Sequence, residues 1–456
     1  MKTNPRSREL ADRYDVPGPR YTSYPTAPHF QPWGNNDWLD ALRENERYSQ
    51  RPLSLYFHLP FCPTLCLYCG CNVVITKDRQ RVGKYVEYLM REMELFQSLV
   101  PTKRGVKQVH WGGGSPTWLN PYEIRKLAEK IWWHFNLSRT AEISVEVDPR
   151  RLTEEHVAAF CDVGFNRISL GVQDFDPQVQ QSVRRLQTEQ ETLNALEWFR
   201  QRGVRSVNID LIYGLPGQTV QSFHQTLNRV IELRPNRIAV FNFAYLPTMK
   251  PHHRAIDAAA LPERTTKLMM QEDIIATLTG AGYRYIGMDH FALPDDELAV
   301  AQQEGRLHRN FQGYTTGAEC DLIGFGMTSI SSLDRAYAQN LKELPEYEAA
   351  IDRGELPASR GLRLNDDDYL RRHIINELMC NLHLSIPQLE QDFGVDFFKY
   401  FPDVEEQLTP LVMDGLVKFD PDSIDVTEQG RLFLRNIAMQ FDAYLGANTA
   451  VFSRTV

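Results

Sequence analysis

The sequence predicts an α/β fold: an open or partial (βα) barrel, preceded by an N-terminal arm and followed by a smaller winged-helix-like domain. Three observations carry this expectation. From residue 53 to about 292, short apolar runs alternate with longer amphipathic segments, the grammar of βαβ units and a parallel sheet. Polar residues recur at the C-terminal ends of those runs, the face on which a βα barrel gathers its chemistry. Beyond about residue 360 the alternation stops, and a helix, strand, tight turn, strand, helix order follows.

Residues 1–45 form the expected arm. Its stretch VPGPRYTSYPTAPHF (16–30) is proline-rich with interleaved tyrosines, which favours extended chain over helix. In the central part, 46–345, the expected strands are LSLYFHL (53–59), VKQVHWGGG (106–114), EISVEVDP (142–149), RISLGVQD (167–174), SVNIDLIYG (206–214), RIAVFNFAY (237–245) and YRYIGMDHF (283–291). Helices are expected between them at 79–99, 121–136, 177–201, 219–233 and 263–280. The polar strand ends are His58, Gly112 to Gly114, Glu146 and Asp148, Gln173 and Asp174, Asp210, Asn242, and Asp289 with His290. Six or seven such strands rather than eight imply a barrel that does not close.

In the last part, 346–456, Leu370, Ile374 and Leu378 fall at helical spacing. Ser385 is a candidate N-cap with Pro387 in the first turn, and Asp420 to Ser423 makes the tight turn between two strands. A winged helix often reads DNA, but residues 366–430 carry four Lys or Arg against fifteen Asp or Glu, which argues for a packing or lid domain instead.

Composition narrows the class further. With 456 residues the chain can bury a large core without disulfide staples. Fifty Lys and Arg against 59 Asp and Glu give a net charge of −9, which disfavours non-specific attraction to nucleic acid or anionic membrane. The start MKTNPRSREL has no apolar core of a signal peptide, and no apolar run approaches the ~18 residues that span a bilayer. The expectation is a soluble, cytoplasmic protein, a monomer by default, in a compartment where clustered thiols bind metal more often than they cross-link.

Four of the seven cysteines crowd into HLPFCPTLCLYCGCN (58–72), with Cys62, Cys66 and Cys69 spaced C-x3-C-x2-C and Cys71 two residues on. Structural zinc sites pair two C-x2-C motifs across a longer loop, and no second pair lies downstream. His58 or a distant histidine keeps a zinc site open as an alternative. Three thiolates on one tight loop suit a [4Fe–4S] cube, each holding one iron and leaving the fourth without a cysteine. The run WGGGSP (111–116) fits neither the Walker nor the Rossmann phosphate motif, and its missing side chains let backbone approach a ligand closely.

A three-cysteine loop after the first strand of a βα repeat resembles the radical S-adenosylmethionine (SAM) superfamily, in which SAM chelates the open iron. The resemblance implies a partial barrel of the radical SAM type. Tyr68 stands where that superfamily carries an aromatic near the adenine. Ser115 stands where it often has the Glu of Gly-Gly-Glu, which leaves the SAM amino group to backbone carbonyls or Glu146.

PGPRYTSYPTA (17–27), YCGCN (68–72) and HRNFQGYTT (308–316), with NIDLIYGLPGQT and IGMDHFA, resemble the oxygen-independent coproporphyrinogen III oxidase family over nearly the whole chain. That resemblance implies oxidative decarboxylation of two propionates of coproporphyrinogen III to vinyl groups, giving protoporphyrinogen IX in haem (porphyrin) biosynthesis. Hydrogen removal from an unactivated β-carbon is beyond side-chain acids and bases. Cleavage of SAM would supply the 5′-deoxyadenosyl radical, after which the substrate radical loses CO2 and one electron.

The same resemblance implies cluster ligands Cys62, Cys66 and Cys69. It implies a first SAM at Tyr56, Gly113, Glu146 and Ile330, and a second at Tyr68, Gly114, Ser115, Gln173, Arg185, Asp210 and Ala244. Tyr56, Glu146 and Cys71 are the implied catalytic residues. By strand-like spacing Cys71 is expected to point away from the ligand triad and not to ligate. Arg20 and Arg309 are candidates to pair with substrate propionates, and Tyr21, Tyr24 and Phe30 either cover the macrocycle or simply tether the arm. An electron-donor protein is the implied partner. Haem-binding chaperones of the superfamily share the three cysteines but generally lack the arm motif and the second cysteine of YCGCN. Both are present here, which favours the oxidase.

Overall fold

The computed structural model describes residues 5–445 and 452–455. They group into two compact units that interleave along the chain. The larger holds residues 30–262 and 319–363, and the smaller holds the N-terminal residues to 29, residues 263–318 and the chain from 364. The chain therefore divides along other lines than the consecutive pieces 1–45, 46–345 and 346–456.

In the larger unit six strands lie side by side in chain order: β1 (Leu53–Leu59), β2 (Gly105–Gly113), β3 (Asn136–Val147), β4 (Arg167–Gln173), β5 (Ser206–Tyr213) and β6 (Arg237–Asn242). Every neighbouring pair is parallel. Strands that neighbour in space as they do in sequence wind the way a βα barrel winds, whereas a doubly wound sheet reverses direction at a switch point. The helices α1 (Arg79–Leu99), α2 (Pro121–His134), α3 (Glu154–Asp162), α4 (Glu189–Gln201) and α5 (Val220–Leu233) make the crossovers.

Their starts are written in local chemistry. Asp78 accepts the Gln80 and Arg81 amides before α1. Asn120 with Glu123, and Thr219 with Ser222, form capping boxes before α2 and α5, satisfying amides that have no intrahelical partner. The single helix expected over 177–201 is broken into Pro177–Ser182 and α4, with Arg184 at φ 55 between them.

Four further strands were not legible in the sequence. β7 (Asp321–Phe325) pairs parallel with β1, and β8 (Ile330–Ser332), β9 (Ala336–Asn340) and β10 (Ala358–Arg363) continue the sheet antiparallel. Gly324 interrupts the apolar run DLIGF for a packing reason, since a Cβ there would stand 2.9 Å from the Ile330 carbonyl oxygen.

Alternation along the strands divides the sheet into two chemistries. In β4, Ile168, Leu170 and Val172 are buried while Ser169, Gly171 and Gln173 take the other face. In β5, Val207, Ile209 and Leu211 are buried while Asn208 and Asp210 alternate with them. Register then sets the polar faces side by side, with Tyr56 opposite His110, His110 opposite Ser144, Glu146 opposite Ser169 and Ser169 opposite Asn208.

The segment 283–291 is not one continuous strand. It forms an antiparallel pair, Arg284–Gly287 with His290–Ala292, in the smaller unit. Met288 at φ 47 turns the chain back between them.

The core of the smaller unit includes Leu370, Ile374, Leu378, Leu384, Leu408 and Ile424. Three short strands, His383–Ser385, Ser423–Val426 and Val417–Phe419, form its antiparallel sheet in that order. Ser385 caps the helix Ile386–Phe393, and Ser423 N donates to Asp420 Oδ1 at 2.9 Å in the tight turn. This is the winged-helix order. Residues 16–26 are free of helix, but their aromatics are spent in packing. Tyr21 and Tyr24 join this core, where the Tyr21 hydroxyl donates to Asp442 at 2.8 Å. Phe30, in the larger unit, stacks on Tyr337 at 5.5 Å. No helix among the described residues is long and apolar enough to cross a membrane.

Trp111 is the largest fully buried side chain of the larger unit, packed edge-on against Phe57, Phe160 and Phe165. Trp111→Ala should destabilise the protein by about 3–5 kcal/mol, read as a lowered urea midpoint.

Candidate active site

The cysteine loop leaves the end of β1 and is pinched at its neck. Thr76 N donates to the Cys62 carbonyl at 3.0 Å, Val74 N to Pro60 at 2.8 Å, and Ser115 N to Phe61 at 3.0 Å. Across the loop, Leu67 N donates to Val183 O at 2.9 Å. Leu67 is buried with Val179, Val183, Leu215, Phe243 and Ile256, and Tyr68 packs against the same cluster.

The glycine run that ends β2 closes on this neck, and each glycine has its own reason. A Cβ on Gly112 would stand 2.7 Å from the Glu146 carboxylate, one on Gly113 2.4 Å from the His58 ring, and one on Gly114 2.5 Å from the Pro60 backbone. Gly113 also holds φ +110, a conformation only glycine adopts freely. The run is thus required by the protein's own close packing.

Above it lies a connected polar group. His58 Nε2 is 3.0 Å from the Asn72 carbonyl oxygen, which can only accept, so the ring proton sits on Nε2. Burial lowers the His58 pKa and keeps the ring neutral, so Nδ1 accepts the Tyr56 hydroxyl proton at 3.0 Å. The Tyr56 oxygen is left with its lone pairs as acceptors toward the site. Tyr56 stacks on His110, which lies 3.4 Å from the Glu146 carboxylate. Burial alone would push the Glu146 carboxyl up. The bond and charge of His110 and the Gly113 amide, 3.0 Å away, hold it below its ordinary value.

Charge is concentrated beside Cys66. Arg150 Nη2 and Arg185 Nη1 stand 3.7 and 3.8 Å from its sulfur. Asp148 grips Arg150 through Nε at 2.9 Å and Nη2 at 2.6 Å, and lies 3.5 Å from Arg185. Against burial, Arg185 and then Arg150 pull the Asp148 pKa down to about 2. Arg185 also donates to Gly171 O at 2.5 Å, while its buried Nε has no acceptor among the described residues. Gln173 ends β4 at φ 71, strain of the kind found at ligand sites.

On β5, Asp210 accepts Ser169 at 2.6 Å and Asn208 at 2.7 Å. Burial, partly offset by Ser169 and reinforced by the charge of Glu146, pushes its pKa up to about 6. Asp174, grouped with these residues by sequence, instead ties the end of β4 to α5 through Thr226 at 2.6 Å and to Gln218.

All the implied cluster and SAM residues lie in the larger unit, including Ala244 just past β6 and Ile330 at the start of β8. Ser115 spends its hydroxyl on Thr117 at 3.0 Å. Cys71 is exposed and sits at a bend of the loop rather than in a strand. Arg20 and Arg309 belong to the smaller unit, where Arg20 is paired with Asp289 and Arg309 lies over the Tyr314 ring at 4.9 Å. Sequence reasoning missed His110, Arg150, Tyr85 and Glu92. Alternation from Gly112 back to His110 was the available signal for the first.

The residues fit an iron–sulfur cluster better than zinc. Both ring nitrogens of His58 are engaged, which removes it as a fourth ligand. A buried and a partly buried guanidinium beside Cys66, those of Arg185 and Arg150, suit a ligand that must carry negative charge. A cube takes one thiolate at each of three irons, and Cys62, Cys66 and Cys69 are all free to supply one.

A three-thiol loop at the mouth of an open βα barrel, braced by cations and floored by glycines, defines a radical SAM protein. The Radical SAM superfamily model matches residues 56–230, and the HemN C-terminal domain matches residues 364–433. The chain is 46% identical to the oxygen-independent coproporphyrinogen III oxidase of Pseudomonas aeruginosa, over 98% of both chains. It is also 46% identical to that of Escherichia coli K12, again over 98% of both. The solved structure of coproporphyrinogen III oxidase (HemN) from Escherichia coli superposes with a TM-score of 0.89 at 47% identity, covering 93% of this chain and 98% of that one. The chain belongs to the oxygen-independent coproporphyrinogen III oxidase family.

Beneath the site, Glu92 of α1 accepts Gly326 N at 2.7 Å, Tyr347 OH at 2.7 Å and Asn340 Nδ2 at 2.8 Å. Tyr85 donates to His58 O at 2.9 Å and accepts Met327 N at 3.1 Å. Together they fix the backbone of His58 and of the turn leading to Ile330. Burial raises the Glu92 pKa from 4.5 to about 7, against its three donors. The folded chain thus keeps a proton that the unfolded chain has released, so this contribution is present below pH 4.5 and is lost as pH rises through about 7. In urea unfolding of the cluster-free protein, wild type should lose about 3 kcal/mol relative to Glu92→Gln across that window.

Proposed function

We propose that this chain performs the oxygen-independent oxidative decarboxylation of two propionates of coproporphyrinogen III to vinyl groups, giving protoporphyrinogen IX. The observation that carries the reading is the joining of the cysteine loop, the glycine run and Glu146 into one hydrogen-bonded unit at the C-terminal ends of β1 to β3. When bound, a [4Fe–4S] cluster and SAM supply a radical able to take hydrogen from an unactivated carbon.

The chain's own residues do the rest. Cys62, Cys66 and Cys69 hold the cluster, and Arg150 and Arg185 offset the negative charge their thiolates bring. Tyr56, with its proton committed to His58, offers acceptor lone pairs to the SAM ammonium, beside Gly113, Glu146 and Ile330. A second SAM is taken by Tyr68, Gly114, Ser115, Gln173, Arg185, Asp210 and Ala244. The unpartnered Arg185 Nε and the Asp210 carboxyl are the groups that support it. Arg309 binds a substrate propionate: its Nε and Nη1 are buried without an acceptor among the described residues, the state a guanidinium fork keeps for a carboxylate. Arg20 does the same on exchanging Asp289 for substrate. The acidic balance of 50 to 59 supports a protein that binds no nucleic acid. We read it as a cytoplasmic monomer that draws electrons from a donor protein.

Anaerobically reconstituted protein given reductant, SAM and coproporphyrinogen III should release protoporphyrinogen IX with consumption of SAM. Tight haem binding without turnover would show a chaperone instead. Asp210→Asn should weaken the second SAM alone by roughly tenfold in equilibrium dialysis, the worth of one charged hydrogen bond. Cys71→Ser should keep its full iron content while turnover falls.

A further inference from the structure

Residues 246–256 cover the cysteine loop and take no part in the chemistry above. His252 Nε2 donates to the Cys69 carbonyl at 2.8 Å, and Lys250 Nζ to the Cys71 carbonyl at 3.4 Å. His253 folds the segment by accepting Leu246 N at 3.0 Å, and Ile256 anchors its far end in the apolar cluster that holds Leu67. The segment is therefore bolted to the backbone of Cys69, one of the three proposed cluster ligands, and of Cys71.

Its outward side has a distinct character. Between residues 243 and 256 stand Lys250, Arg254 and two histidines and no acidic residue, in a chain of net charge −9. Arg254 is exposed and donates only to the Pro247 carbonyl, at 3.2 Å, and among the described residues no carboxylate pairs with it or with Lys250. Met249, next to Lys250 in the chain, stands 55% exposed, one of few large apolar side chains left on the surface.

We propose that this face is the docking surface for a small acidic one-electron carrier protein that reduces the cluster. The inference rests on the reading that Cys62, Cys66 and Cys69 hold a redox cluster. Electron tunnelling weakens steeply with distance, so a donor must dock where the protein over the cluster is thin. Here the half-buried side chain of His252 touches a ligand's carbonyl directly. Basic side chains select an acidic partner and speed its encounter, and the exposed, flexible methionine beside Lys250 can adapt to its surface. Each encounter moves one electron. The carrier is oxidised by one, the cluster is reduced by one, and no atom changes place.

The test uses hydroquinone flavodoxin as probe, mixed anaerobically with the holoenzyme in a stopped-flow instrument while bleaching of the cluster's visible absorbance is followed. Lys250→Glu/Arg254→Glu should slow reduction by about tenfold or more at low ionic strength and remove its salt dependence. The same variant should weaken calorimetric binding of oxidised flavodoxin by a similar factor. Iron content, reduction by dithionite, and the KM for coproporphyrinogen III with dithionite should not change. Arg254→Glu alone, which leaves both loop bonds in place, should show part of the loss. A flavodoxin rate indifferent to salt and to both variants overturns the proposal. So does a raised KM with dithionite, which would assign the patch to substrate propionates. A protein with no dithionite-reducible cluster overturns instead the reading beneath it.

Discussion

Three thiolates on one short loop, the state the proposed cluster asks for, would repel each other, and the cations beside Cys66 can offset that charge without a fourth protein ligand. The answer is a carboxylate shared by two guanidiniums. Asp148 holds Arg150 and Arg185, and both face the sulfur of Cys66. All three side chains are largely removed from water, and an ion group of that kind is stable only while complete, since loss of one partner strands the others at a cost of about 3–5 kcal/mol. The loop's conformation, its charge and the end of β4 are thereby one cooperative object: Arg185 reaches Gly171 as well as Cys66.

Around that object the sheet works as a sorting device. Alternation sends Leu, Ile and Val to the helix-covered face and Tyr56, His58, His110, Ser144, Glu146, Ser169, Asn208 and Asp210 to the other. Parallel register then turns separate strands into a row of hydrogen-bonded neighbours. The neutral state of His58 follows from its burial and the Asn72 carbonyl, and it decides that Tyr56 presents lone pairs. Glu146 stays ionised because His110 and the Gly113 amide outweigh desolvation. Two carboxyls on adjacent parts of one sheet are thus set apart, Glu146 held low and Asp210 raised to about 6. Such separation by environment lets neighbouring acids take different roles.

Much of this was legible from residues alone, and the failures share a physical cause. The six parallel strands and their polar ends carry period-2 patterns, and the cysteine spacing is a local signal, so both could be read. β7 could not. Asp321 pairs with Leu53 across most of the chain, and a partner so remote in sequence leaves no mark in a five-residue run broken by Gly324. Arg150 was hidden for a similar reason: a surface-type residue after a strand is ordinary until a buried sulfur is found beside it. The reading of 283–291 failed because a two-strand hairpin and one long strand share the same composition, and only the left-handed Met288 distinguishes them.

The central claim is that the polypeptide supplies three ligands and leaves one iron for SAM. Electron paramagnetic resonance of the reduced cluster, recorded before and after SAM is added, tests it most directly. The account predicts that SAM shifts the signal, and that SAM labelled with nitrogen-15 at its amino group adds a hyperfine coupling. A spectrum untouched by SAM, from a fully loaded protein, would contradict it.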